Sequence, residues 1–234
     1  MPKAKTAAAP SAPSVTITYY VEIYSSWCHW AEPAWGELKT RFAGRVGFDW
    51  RVALMRAEDF PATSEQCDWF YRRSGTVTGS AYRLNSGWVQ PNREAYVTPN
   101  LVAEATRDFL PAGDDRARLA LARAAMLDGE GVHDLNTAAR IAAAATGGKA
   151  SAAKLKSAAK SPTVRARVEA STAEFFAHRL SQRPAFVLTS EIGDKAVFSG
   201  VWRAEPLVAA LEGMLADAAA YAGYRAHHGA PPQA

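Results

Sequence analysis

Two cysteines have the strongest claim on chemistry in this 234-residue chain. Cys28 lies in the run Tyr24, Ser25, Ser26, Trp27, Cys28, His29, Trp30, Ala31, directly after a β-branched and aromatic stretch and at the head of an amphipathic one. That placement sets its sulfur in the first turn of a helix, where unpaired N–H groups and the positive end of the helix dipole favour a negative charge. Helix N-termini bring a cysteine from about 8.5 into the range of roughly 3.5 to 7.5, and the thiolate is the nucleophile. The plainer reading of Cys28 is a small buried hydrophobe. His29, as imidazolium, would steady a thiolate at short range, and as a surface histidine would do nothing. Trp27 and Trp30 flank the sulfur and suit either an apolar substrate wall or core packing. Glu32, one turn further on, complements the dipole but opposes a thiolate if it points at the sulfur.

Cys67 is a distant resolving thiol if its segment folds over the site and the two Cα atoms come within about 7 Å. Otherwise it is a half-buried cysteine beside Trp69 and Phe70. Other chemistry finds little support. His227 and His228 have no neighbouring cysteine or second carboxylate pair, so no metal site is expected. Gly147 and Gly148 lack the lysine and hydroxyl of a phosphate loop. Lys149, Lys154, Lys156 and Lys160 fit a solvated helix face.

The elements that must position these residues follow from periodicity. Val15 to Ile23 reads as a buried strand, Cys28 to Phe42 as an amphipathic helix and Val46 to Leu54 as a second strand, completing a β-α-β unit. Pro33 is expected near the helix start or at a bend. Met55 to Pro99 is aromatic and polar, with short helices around Ser64 to Arg73, and is long enough to cover a binding site. Residues 101–160 hold 19 alanines, and Gly129, Gly131, Gly147, Gly148 and Pro162 divide the block to Leu180 into about four helices. Pro184 to Leu188 and Ala196 to Ser199 form a hairpin, Glu205 to Ala222 a closing helix, and the segment from Tyr224 onward a fraying tail.

Composition excludes several classes. Hydrophobic residues are 48% and charged residues 21%, as in ordinary globular proteins, and the formal charge of +4 is too small to argue for nucleic acid. No apolar run approaches the roughly 18 residues of a membrane span. Residues 1–14 have no leucine-rich centre, so they read as a disordered tail rather than a secretory signal, and a cytoplasmic location is expected. Two cysteines are too few for a disulfide framework.

The segment YSSWCHWAEPAW after a strand, the helical block with ARAAMLDGEGVHDLNTAARIAAAA, and RPAFVL before a hairpin and final helix together resemble the DsbA-type thioredoxin family. Its relatives include FrnE-like oxidoreductases, hydroxychromene-carboxylate isomerases and kappa-class glutathione transferases. The resemblance implies an α/β thioredoxin-like fold over 15–99 and 183–223, interrupted by an inserted α-helical domain over 100–182, with tails at 1–14 and 224–234. In that family a C-x-x-C pair opens the first helix and a cis-proline faces it. By resemblance Cys28 matches the first cysteine, Ala31 stands where the second would be, and Pro184 matches the cis-proline. Arg183 is a departure at a place where relatives carry a small or β-branched residue, and could attract an acidic substrate or the carboxylates of glutathione.

Three functions fit. One is a monothiol oxidoreductase or isomerase, in which Cys28 attacks a disulfide and an external thiol such as glutathione releases it. Another is a glutathione-dependent transferase or isomerase, whose relatives generally carry serine at the reactive position. The third is a binding module that has lost the chemistry. No tightly bound cofactor is implied; glutathione is the expected co-substrate and a thiol or disulfide the expected partner, with neither nucleic acid nor membrane. Related glutathione-using enzymes often form homodimers.

Overall fold

The computed structural model describes residues 13–230. Residues 1–12 of the expected N-terminal tail, and 231–234 of the C-terminal one, lie outside them. The chain begins β1 (Val15–Val21), α1 (Ser26–Arg41), β2 (Val46–Val52) and α2 (Ser64–Thr78). Five helices follow, α3 (Thr98–Thr106), α4 (Arg116–Met126), α5 (Leu135–Ala145), α6 (Ala152–Ala159) and α7 (Pro162–Ala177). It closes with β3 (Ala185–Ser190), β4 (Lys195–Ser199) and α8 (Ala204–His228). This is an α/β fold with a helical insertion.

The four strands form one sheet in the order β2-β1-β3-β4. β1 runs parallel to β2, with Val15 opposite Val46 and Val21 opposite Val52, and antiparallel to β3. β1 is central and nearly all buried, as its run of valine, isoleucine and tyrosine requires. Tyr19 stacks on Phe186 of β3 with ring centroids 4.7 Å apart, and Trp35 of α1 closes on the same tyrosine at 5.1 Å. β2 buries Val46, Trp50 and Val52, the expected inward set apart from the half-covered Phe48.

Alanine explains the helical block. α3 is buried from Pro99 to Thr106, and the small residues Ala138, Ala139 and Ala142 of α5 let neighbouring helices approach it closely. The block holds one helix more than the punctuation suggested, because Pro111 and Gly113 add a break between α3 and α4. α2 outruns the expected Arg73 and ends at Gly79, whose φ of 70° caps the helix in the left-handed region. α1 continues past Pro33 to Arg41. α8 runs to His228, so the segment from Tyr224 is helical rather than frayed over those residues.

A buried ionic cluster joins the sheet layer to the block. Arg118 of α4 is 1% exposed and grips both oxygens of Glu32 on α1, with Nη2 to Oε2 at 3.1 Å. Asp115 accepts from the Trp35 indole at 2.8 Å and from Lys39 at 3.1 Å. The Arg118 guanidinium also lies over the rings of Tyr19 and Trp50. Removing one partner of such a pair strands a charge in a low-dielectric interior, whereas replacing both by apolar groups need not. Glu32→Ala is expected to lower unfolding free energy by about 3 kcal/mol in urea titrations. Glu32→Leu combined with Arg118→Met should recover most of the loss.

Candidate active site

The candidate site is the turn from β1 into α1. Ser25 is the N-cap of α1, with extended backbone at φ −83° and ψ 113°. Its Oγ accepts the Cys28 amide hydrogen at 3.3 Å, and its carbonyl receives the first helical bond from the His29 amide at 3.0 Å. Serine is a preferred N-cap because its side chain satisfies one of the orphan N–H groups of the first turn.

A cavity of about 230 Å³ opens at this corner. Tyr24, Ser25, Ser26 and Trp27 form one wall. α2 contributes Cys67, Phe70, Tyr71 and Arg73, Trp88 comes from the following loop, and Met55, Asp59 and Pro61 come from the exit of β2. Ser181, Gln182 and Arg183 complete it ahead of β3. The Arg183–Pro184 peptide is cis, and Pro184 is buried at the start of β3.

Each residue singled out from the sequence has a definite place. Cys28 is the third residue of α1, in the first turn as expected, but it is 3% exposed and does not line the cavity. Burial pushes its thiol up to about 11, and a hydrogen bond with the Ser25 side chain only partly opposes this. His29 turns to the other side of α1, where Nε2 pairs with the Tyr82 hydroxyl at 3.0 Å. Desolvation lowers its pKa, so it is a neutral imidazole at neutral pH and cannot supply the expected positive charge. Trp30 is a packing residue rather than a substrate wall, since its indole donates to Ser74 of α2 at 3.0 Å in the interface between the two helices. Trp27 does line the cavity.

Cys67 also lines the cavity, 1% exposed, with burial pushing its thiol up to about 11. Both cysteines are free. Arg183 lines the cavity and is anchored at two points. Its Nε donates to the Ala53 carbonyl and its Nη2 to the Leu54 carbonyl, with the guanidinium 4.4 Å from the Phe175 ring centroid.

Ser25 was missed from the sequence, although two signals pointed to it. It precedes the helical pattern as an N-cap should, and Ser25-x-x-Cys28 has the spacing of the C-x-x-C motif. Glu22 was missed as well. Its carboxylate, 1% exposed, accepts from Asn100 Nδ2 through Oε1 and from the Met55 amide at 3.2 Å through Oε2, with the Tyr24 amide at 3.5 Å. Burial nevertheless raises it to about 7.

Among solved structures, the cytosolic disulfide reductase DsbM of Pseudomonas aeruginosa superposes with a TM-score of 0.65 at 16% identity, over 88% of this chain and 98% of that one. The fold is that of the DsbA proteins. DsbA of P. aeruginosa gives 0.58 at 13% identity, covering 92% of each chain, and reduced DsbA1 of Neisseria meningitidis 0.54 at 12%, covering 93% of each. No protein-family model and no curated protein matches the sequence. In this chain the N-cap of the first helix is Ser25, and Cys28 follows three positions on. Among the described residues there is no group of metal-ligating side chains and no helix long and apolar enough to cross a membrane.

Glu22 makes stability depend on pH with a known sign. A carboxyl whose folded pKa of about 7 exceeds its ordinary 4.5 binds its proton more tightly when folded, so unfolding free energy falls as pH rises between those values. The loss is on the order of 3 kcal/mol. Urea titrations at pH 5 and pH 8 should show this difference in the wild type and lose it in Glu22→Gln.

Proposed function

We propose that this protein is a thiol-dependent transferase or isomerase that binds glutathione, or a thiol of that class, with its sulfur at the Ser25 end of α1. The observation that carries the reading is the placement of Ser25 and Cys28 at the helix N-terminus. Ser25 lines the cavity, while Cys28, three residues on in the first turn, does not line it and has a buried thiol pushed up to about 11. A protein thiol that is enclosed and protonated is a poor nucleophile. A hydroxyl at a helix N-cap is a good partner for a sulfur anion brought from outside.

In this scheme the bound thiol gives its proton to solvent and its sulfur becomes anionic. The orphan N–H groups of the first turn and the Ser25 hydroxyl stabilise the charge. Trp27, Phe70 and Trp88 offer an apolar surface for the electrophile that the thiolate attacks. The backbone beside Pro184 faces the thiol carrier across the cavity. A structure of the similar DsbM is described as containing GSH, which supports a small thiol as the ligand class. The reading requires a compartment where thiols are kept reduced, the cytoplasm.

Disulfide exchange through Cys28 is the second reading. One feature favours it: Cys28 is in the first turn of α1, its amide bonded to the Ser25 hydroxyl. Mutagenesis separates the two. With glutathione and an activated aryl halide, Ser25→Ala should lower kcat/KM about tenfold to a hundredfold, the worth of a hydrogen bond to a charged group. Cys28→Ala should stay within about twofold of wild type. The reverse pattern would establish Cys28 as the nucleophile. Ser25→Cys, which restores a pair of thiols at C-x-x-C spacing, should gain insulin-reducing activity that wild type lacks.

A further inference from the structure

Arg183 combines three features that the site described so far leaves unused. It stands immediately before Pro184 and lines the cavity that Ser25 opens into. Its guanidinium is held at two points, Nε on the Ala53 carbonyl and Nη2 on the Leu54 carbonyl, and it rests against the Phe175 ring. Nη1 has no hydrogen-bond partner among the described residues, and no carboxylate forms an ion pair with Arg183. A guanidinium is planar and cationic at every working pH, so two anchored nitrogens fix where the third one lies.

Charges around it leave the cation available. Glu22, from the end of β1, and Cys28, from α1, act on Arg183 through space, as do Asp59 and Arg56 from the exit of β2. Glu22 is already satisfied by the Asn100 side chain and the Met55 amide. Cys28 is protonated at neutral pH, because burial pushes it up to about 11. Neither group therefore consumes the remaining donor.

We propose that Arg183 is a catalytic residue that stabilises the bound substrate thiolate, its fixed guanidinium facing the sulfur from across the cavity while the first turn of α1 approaches from the other side. This role rests on the thiol-binding reading given above. The step is a proton loss: the S–H bond of the bound thiol breaks, the electron pair stays on sulfur, and the proton leaves to buffer. Arg183 lowers the free energy of the anion alone and leaves the neutral thiol, or a thioether in its place, unaffected.

The test compares glutathione with S-methylglutathione on the full-length protein. The ionisation midpoint of bound glutathione is read from thiolate absorbance in the ultraviolet as pH is raised, and the Kd of the thioether is measured by calorimetry. In the wild type the midpoint should lie below that of free glutathione. In Arg183→Met it should rise by about one unit or more, a tenfold loss of anion stabilisation, while the Kd of S-methylglutathione changes less than about twofold. Arg183→Gln, whose amide can still donate to one of the two carbonyls, serves where the methionine variant does not fold. An unchanged midpoint in a folded neutral variant that still binds glutathione overturns the role of Arg183 and leaves the thiol site standing. Equal weakening of both ligands overturns it too, by marking Arg183 as a scaffold residue. Failure of the wild type to bind glutathione at millimolar concentration overturns the thiol site itself, and the role of Arg183 with it.

Discussion

The carboxylate of Glu22 is the contact on which the geometry of the corner depends. It is enclosed at the point where β1 leaves the sheet, and the groups around it all donate: the Asn100 amide from the buried helix α3, the Met55 amide from the exit of β2 and the Tyr24 amide of its own turn. Asn100 completes the clasp by accepting the Ile23 amide at 3.2 Å. One side chain therefore ties the turn before the N-cap to the helical block and to the segment after β2. A buried carboxylate is costly unless hydrogen-bonded, and here three donors from three segments are spent on it. Ser25 is where it is because that turn has no freedom.

This arrangement also accounts for Arg183. The carbonyls of Ala53 and Leu54 extend from the end of β2 with no strand to pair them, and a buried unpaired carbonyl must find a donor. The guanidinium supplies two. The same short segment thus receives the Arg183 side chain on its carbonyl side and presents the Met55 amide to Glu22. A cation and an anion brace one stretch of chain without touching each other.

Much of the fold was legible in the sequence because it is written in local pattern. The valine, isoleucine and tyrosine of β1, the alternation of β2, the alanine block and the hairpin before α8 all declare themselves within windows of about ten residues. The site was less legible. Cys28 drew attention as a cysteine near a helix start, and the motif was matched to the spacing after it, while Ser25, which caps the helix, stands at the same spacing before it. Whether a helix begins at Ser25 or at Cys28 is a difference of one turn, and it decides which side chain meets the cavity. Burial of the thiol, the turning of His29 toward Tyr82 and the use of Trp30 against Ser74 depend on α2 lying across α1, which no local pattern announces. Arg183 finds its partners 129 and 130 positions away in the chain. Only the assembled fold brings them together.

The cluster around Arg118 has a consequence for motion. Two-layer proteins with a cleft between layers often admit ligand by a hinge. Here a guanidinium enclosed by Glu32, Asp115 and two aromatic rings would have to enter or leave solvent as α4 separated from α1. The layers are latched, because α1 and α4 share this buried ionic cluster. The peripheral stretch between α2 and α3 reaches the cavity through Trp88. That stretch is fastened at separate points, among them the Asn85 amide on the Met126 carbonyl at 2.8 Å. The cover that this stretch lends the cavity, through Trp88, is thereby a ribbon of chain rather than a domain.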